Sequence, residues 1–143
     1  MSTVSPTQIF WPMLALMVWT MIVLLLILLA RVRAVLAGKV GIQDFSHGES
    51  ARVPPEANLP NRAFMNLLEV PLLFYVLCLM LVLAQQVDGT AVALAWAYVA
   101  LRGLHTLIQL SYNRVLHRLL AFALSNAVLI VMLLRLAWAL AVQ

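Results

Sequence analysis

The amino-acid sequence predicts an all-α integral membrane protein, built as a bundle of four transmembrane helices. Two observations support this prediction. Of the 143 residues, 65% are apolar and only 10% are charged, and the apolar residues fall into four long runs. Soluble domains are usually about 45–50% apolar and about 25% charged. A helix needs roughly 20 apolar residues to cross a bilayer, so four spans take up most of the chain and leave room for one membrane domain, residues 1–143.

The four predicted spans cover residues 9–30, 62–84, 91–112 and 119–142. The first run carries no charge and ends at Arg31 and Arg33. Because no Lys or Arg precedes it and it is long enough to cross a bilayer, we expect a retained helix and not a cleaved signal peptide. The stretch 31–61 is polar and contains several Pro and Gly residues, which predict a loop.

The basic residues are distributed asymmetrically along the chain. Seven of the nine lie in or next to the first and third connections: Arg31, Arg33, Lys39, Arg52, Arg62, Arg114 and Arg118. Short loops rich in Lys and Arg stay in the cytoplasm, so we expect both termini on the extracytoplasmic side. A bacterial inner membrane is the expected location. The net charge of +4 then reflects topology, and no nucleic-acid partner is expected.

Two of the predicted spans carry a stripe of polar side chains on one helix face. The stripe of the second span contains Arg62, Asn66 and Glu69, and that of the third contains Arg102, His105 and Gln109. Within each stripe the spacing is three or four residues, which places the members on one face. A charge inside a span costs about 2.5–3.5 kcal/mol on insertion scales. We therefore expect both stripes to face the bundle interior.

Depth along the helices suggests how two of these charges are accommodated. At 1.5 Å per residue, Glu69 lies roughly 10 Å below Arg62 and Arg102 roughly 18 Å below Arg114. A long Arg side chain can cover the difference, so we expect a Glu69–Arg102 ion pair. Either this pair only joins two helices, or the stripes line a polar pocket. The pocket is favoured, because the stripes hold more polar groups than one pair needs.

The arginines at the mouth of such a pocket indicate the chemistry of its ligand. Guanidinium groups bind carboxylates through two parallel hydrogen bonds, so the basic rim favours an anionic ligand with carboxylates. The chain has one Cys and three His residues, and their spacing gives no metal site. No arrangement typical of a serine hydrolase or a phosphate-binding loop is present in the sequence.

Two segments resemble signature motifs of the MAPEG family, the membrane-associated proteins in eicosanoid and glutathione metabolism. Residues 62–71 (RAFMNLLEVP) are similar to the second-helix pattern Arg-x-x-x-Asn-x-x-Glu of that family. Residues 102–106 (RGLHT) resemble its third-helix pattern Arg-x-x-His-Thr, and residues 113–118 (NRVLHR) fit the short basic connection before its fourth helix. The resemblance extends over nearly the whole chain.

The resemblance implies a homotrimer of four-helix subunits that binds glutathione, as cosubstrate, between neighbouring subunits near the cytoplasmic face. The positions that match glutathione contacts are Arg31, Arg62, Asn66, Glu69 and His105. Arg102 matches the arginine that pairs with the second-helix Glu, and Arg118 matches the catalytic arginine that stabilises the thiolate. Gln109, on the same stripe, is a further candidate contact. The implied activity is glutathione conjugation to, or peroxide reduction of, a hydrophobic electrophile in the membrane.

The chain differs from the eicosanoid-type members at four positions. Met65 stands in place of an arginine, Gln109 and Phe122 stand in place of tyrosines, and Leu119 replaces a serine found in some members. We therefore do not expect an eicosanoid substrate. These differences also favour an alternative, a non-enzymatic interaction or scaffold protein that keeps the fold without glutathione chemistry. A proton-coupled carrier is the third interpretation, but the sequence lacks the repeats typical of carriers.

Overall fold

The computed structural model describes residues 5–45, 53 and 55–142, and all regular structure in these ranges is helical. Four helical segments are long and apolar enough to cross a membrane: Pro6–Leu36, Asn58–Leu83, Gly89–Leu110 and Val115–Ala141. The predicted all-α architecture with four spans is thus confirmed. Large apolar side chains cover much of the bundle surface. Such a surface requires an apolar surrounding, as a bilayer provides.

The first span is helix α1 (Phe10–Leu36), which follows a short 3₁₀ helix at Pro6–Ile9. It continues past residue 30, the predicted end of the span, and includes Arg31 and Arg33 in its last turns. Long Arg side chains can reach from such a helix end to the lipid headgroups. After α1 the chain turns at Gly38, whose φ of 65° favours glycine. A second 3₁₀ helix follows at Ile42–Phe45.

The second span consists of two helices, α2 (Pro55–Leu68) and α3 (Val70–Leu83). They are separated at Glu69, whose ψ of −89° lies outside the usual helical range. Pro71 lies in the first turn of α3, where its missing N–H is tolerated. Helix α2 begins inside the stretch 31–61 that was predicted as a loop. Residues 46–52 and 54 of that stretch lie outside the described residues.

The third and fourth spans are α4 (Gly89–Leu110) and α5 (Val115–Ala141), which pack against each other more extensively than any other pair of elements described. Asp88 caps α4 by accepting a hydrogen bond from the Ala91 amide at 2.7 Å, and its other oxygen pairs with Arg135 of α5 at 2.7 Å. At the opposite end the two helices are joined by a short turn. Asn113 adopts a φ of 46° in this turn, a conformation that Asn tolerates better than most residues.

The bundle interior is apolar at one end and polar at the other. Toward the end that contains the two termini the core is apolar, with Ile9, Leu16, Phe74 and Met132 fully or almost fully buried. The ring of Phe74 stacks on that of Tyr98 with centroids 4.5 Å apart. Beyond Tyr98, the buried residues of α4 are polar except for Ile108. The polar part of the core therefore lies at the end where α2 and α5 begin and α4 ends.

Candidate functional site

An open cavity of about 470 Å³ lies between α2, α4 and α5 at the basic end of the bundle. Its volume falls in the range of small-molecule sites, roughly 300–1,000 Å³. The lining residues are Asn61, Arg62, Met65, Asn66, His105, Gln109, Val115, Arg118, Leu119 and Phe122. The cavity thus brings together five of the residues that the sequence singled out: Arg62, Asn66, His105, Gln109 and Arg118.

Two amide side chains join α2 to α4 in the wall of this cavity. The Nδ2 group of Asn66 donates a hydrogen bond to Oε1 of Gln109 at 3.0 Å. This bond uses neither the side-chain NH₂ group of Gln109, which can donate, nor the side-chain oxygen Oδ1 of Asn66, which can accept. The pair therefore fixes the distance between the two polar stripes and still offers both a donor and an acceptor.

Arg102 lies behind this wall and is almost completely buried, with 1% of its surface exposed. Its Nη2 group donates to the backbone carbonyl of Asn66. Its guanidinium carbon lies 5.6 Å from the ring centroid of Phe122, within the range of a cation–π contact. Its Nε and Nη1 atoms have no hydrogen-bond partner among the described residues. Arg102 thus binds the last turn of α2, just before the break in the second span.

The structure corrects the expected ion pair between Glu69 and Arg102. No salt bridge joins the two side chains within the described part of the chain, and Glu69 is exposed at the break between α2 and α3. Glu69 keeps the helical hydrogen bond from its amide to the Met65 carbonyl at 3.1 Å, and the chain departs from the helix only after it, at a ψ of −89°. The guanidinium reaches the Asn66 carbonyl instead, and Glu69 acts on it only through longer-range electrostatics.

His105 is held by the backbone of the neighbouring helix. Its Nδ1 atom lies 3.0 Å from the carbonyl oxygen of Arg118. Its ring packs against Phe122 with centroids 5.8 Å apart. The side chain is 5% exposed, and Nε2 has no hydrogen-bond partner in the described part of the molecule. His105 therefore lines the cavity with one nitrogen bound and the other unpartnered.

The side chain of Arg118 is fixed by the turn that precedes its helix. Its Nη1 group donates to Oδ1 of Asn113 at 2.9 Å, and Asn113 is the residue with the left-handed backbone conformation. Arg118 is half-buried and lines the cavity. Because a guanidinium has five N–H donors, Arg118 keeps several for an anionic ligand after this bond. The turn thus holds a cation at the cavity wall.

Not every predicted site residue lies in this cavity, and some lining residues were not predicted. Arg31 and Glu69 are absent from its described lining. Asn61 and Val115 line the cavity but were not singled out from the sequence. One signal was available for Val115, because Val115, Arg118 and Phe122 are spaced i, i+3 and i+7 and so share one helix face. Apolar lining residues are harder to recognise from the sequence than polar ones, because apolar residues fill every span.

Four membrane-spanning helices around a polar cavity define this chain as an integral, multi-pass membrane protein with its candidate site inside the bundle. A family model described as the MAPEG family matches residues 9–138. The chain belongs to this family, as its two motifs suggested. The matched range includes the second and third spans, most of the first and fourth, and every residue in the described cavity lining. No curated protein and no solved structure matches the chain.

Proposed function

We propose that this protein binds glutathione in the cavity between α2, α4 and α5 and uses its thiolate to attack a hydrophobic electrophile dissolved in the membrane. The reaction is either conjugation to the electrophile or reduction of a peroxide. One observation carries the proposal: two arginines, three amides and a histidine from three helices line a single cavity of about 470 Å³. Membership of the MAPEG family supports it.

The residues that line the cavity suit the chemistry of glutathione, which has two carboxylates, an amine, peptide groups and a thiol. Arg62 and Arg118 can bind anionic groups through paired hydrogen bonds. Asn66 and Gln109 offer an acceptor and a donor side by side, which suits a peptide group. The Nε2 atom of His105 is a buried polar atom without a partner. Such atoms are rare in folded proteins, and a ligand would satisfy this one.

The thiol requires activation, and Arg118 is the residue we assign to this role. A free thiol with a pKa of about 8.5 is mostly protonated at neutral pH, whereas the thiolate is the nucleophile. A fixed guanidinium lowers the pKa of a neighbouring thiol because it favours the charged form. Arg118 lines the cavity and is held in place by Asn113. No side-chain nucleophile is then required.

The apolar residues of α5 in the cavity lining suit a substrate that arrives from the lipid. Val115, Leu119 and Phe122 of α5 line it, and Val115 and Leu119 are 68% and 57% exposed. An apolar electrophile could therefore enter from the bilayer side while glutathione enters from the aqueous side. We do not propose an eicosanoid substrate, because Gln109, Leu119 and Phe122 replace hydroxyl-bearing residues of the eicosanoid-type members.

We further propose a homotrimer in which a second copy completes the site. Glu69 is an exposed carboxylate within a membrane-spanning segment, and an uncompensated charge there is costly. A neighbouring subunit packed on this face would cover Glu69 and add it, together with Arg31, to the glutathione contacts. Both termini would lie on the extracytoplasmic side, with the cavity open to the cytoplasm of a bacterial cell.

The second candidate function is a membrane scaffold that does not bind glutathione. The apolar side chains of Leu119 and Phe122 favour it, since they leave the α5 wall without a hydroxyl group. In that case the polar side chains only fix the packing of α2, α4 and α5.

Thermal unfolding in detergent separates the two functions. A ligand that binds only the folded protein at 100 times its Kd stabilises it by about 2.7 kcal/mol. We expect glutathione to raise the Tm of the wild-type protein. It should not raise the Tm of Arg62→Leu. Arg33→Leu is the matched control, because Arg33 is also basic and lies outside the described cavity lining. Absence of a shift in the wild-type protein would favour the scaffold.

A further inference from the structure

We infer that His105 is the general base of this site and that its Nε2 atom takes the proton of the bound thiol. The inference rests on the proposed glutathione function and adds the proton acceptor that the function needs. Arg118 can stabilise a thiolate, but as a permanently charged guanidinium it cannot accept the proton. The cavity lining contains one imidazole, that of His105.

The hydrogen bond to α5 fixes the tautomer of His105. Nδ1 lies 3.0 Å from the backbone carbonyl oxygen of Arg118. A carbonyl oxygen only accepts hydrogen bonds, so Nδ1 must carry the hydrogen. A neutral imidazole has one N–H, which leaves Nε2 with a free lone pair. The fold therefore presents the basic nitrogen of His105 at Nε2.

The surroundings of Nε2 point to a ligand that donates a hydrogen bond. Nε2 is buried and makes no hydrogen bond of good geometry with a described residue, although the Gln109 side chain one turn along α4 acts on the imidazole. His105 also lines the cavity. Leaving a buried acceptor without a donor is unfavourable. A thiol is such a donor, and the Arg118 side chain that we assign to the thiolate lines the same cavity. One residue of α5 thus orients the base through its carbonyl and attracts the thiolate through its guanidinium.

The charges around His105 couple the proton transfer to ligand binding. Arg102 on α4 and Arg118 on α5 both act electrostatically on the imidazole, and Arg62 on α2 lines the same cavity. When the S–H bond breaks, its electron pair stays on sulfur and a new N–H bond forms at Nε2. The thiolate then compensates the new positive charge on the imidazole.

Counting protons tests this assignment. The purified full-length protein in detergent is mixed with glutathione near neutral pH, in weak buffer with an indicator dye. Ultraviolet absorbance measures the thiolate, and the dye measures protons released to the solution. S-methylglutathione, which has no ionisable thiol, gives the background from the rest of the peptide. For the wild-type protein we expect a clear thiolate signal and a ratio of released protons to thiolate near zero.

The variants separate the base from its structural role. His105→Asn keeps a donor near the Nδ1 position, where it can bind the Arg118 carbonyl, but has no Nε2. We expect it to bind glutathione more weakly than the wild-type protein. At saturating glutathione, each remaining thiolate should be accompanied by one proton released to the solution. His105→Gln, which places a non-basic amide near the Nε2 position, should behave in the same way and is the second variant if Asn does not fold.

Each result has a definite meaning. A wild-type ratio near one would overturn the role of His105 and leave the proposed function intact, because the thiolate would form with the proton released to solvent. A thiolate signal and a ratio near zero in both variants would also overturn it. Failure of the wild-type protein to bind glutathione would overturn the proposed function, and this inference with it.

Discussion

Arg118 occupies the first turn of α5, where its side chain and its backbone contact different residues. The side chain is held by Asn113 and lines the cavity, and the carbonyl binds His105. This one residue therefore connects a cation, a turn and an imidazole. Two predictions at the scale of single residues follow from this arrangement.

The first prediction concerns the side chain of Arg118. Arg118→Leu should raise the pKa of bound glutathione toward about 8.5, the value of a free thiol, because the fixed cation is lost. The thiolate absorbance should therefore appear only at higher pH, while Arg62 and the amides still hold the peptide. Arg114→Leu is the matched control, since Arg114 is exposed on the same turn and outside the described lining. An unchanged thiolate titration in Arg118→Leu would contradict the assignment.

The second prediction concerns Asn113. Asn113→Gly preserves the left-handed backbone of the turn but removes the oxygen that binds Arg118. We expect thermal stability to change little and the thiolate fraction of bound glutathione to fall. Asn113→Ala removes the same oxygen and places a β-carbon in the left-handed region, which costs roughly 1–2 kcal/mol. Thermal unfolding should therefore distinguish the two variants, whereas the thiolate signal should not.

Single-residue spacing predicted much of this site. Arg62 and Asn66 on α2, and His105 and Gln109 on α4, were grouped from helical periodicity, and all four line the cavity. Spacing did not predict that the side chain of Glu69, the last residue in the helical register of α2, is exposed and lies outside the described cavity lining. The bond from His105 to the Arg118 carbonyl was also beyond prediction, since a backbone acceptor has no sequence signature.

At the scale of helices, the second span is held at its break by α4. Pro71 deprives the Leu67 carbonyl of its helical N–H partner, and Arg102 donates to the carbonyl of the preceding residue, Asn66. The buried guanidinium of Arg102 thereby donates a hydrogen bond to the backbone at the point where the regular hydrogen bonds of the helix are interrupted. The position of a Pro indicates where a helix is weakened, but the tertiary contact that stabilises the break could not be predicted from the sequence.

The third prediction compares the two charges near this break. Arg102→Gln should destabilise the bundle by roughly 1.5–3 kcal/mol, the usual range for a hydrogen bond that involves a charged group. Glu69→Gln should cost less, because Glu69 makes no salt bridge with Arg102 in the described structure. In the double variant the two effects should add to within about 1 kcal/mol. Equilibrium unfolding in detergent measures all three, and a larger coupling would restore the direct ion pair.

At the scale of the whole molecule, composition alone was sufficient to predict the architecture. Four apolar runs gave four spans, because a bilayer leaves few alternatives to helices whose backbone groups are satisfied internally. The ends of the spans were less predictable. Helix α1 continues through Arg31 and Arg33, and α2 begins before the apolar run, since helices can extend beyond the hydrocarbon core. The cavity lies at this basic end of the bundle, so the side of the membrane on which this end lies decides from which side a water-soluble ligand enters.

The fourth prediction concerns that topology. Seven of the nine basic residues lie in or next to the first and third connections in the sequence, and such residues stay in the cytoplasm. A C-terminal fusion to alkaline phosphatase should therefore be active in bacteria, and a C-terminal fusion to green fluorescent protein should be dark. Fusions placed after Tyr112, which follows the third span, are the matched control and should show the reverse pattern. Fluorescence from the C-terminal fusion would contradict this orientation and place the cavity mouth outside the cytoplasm.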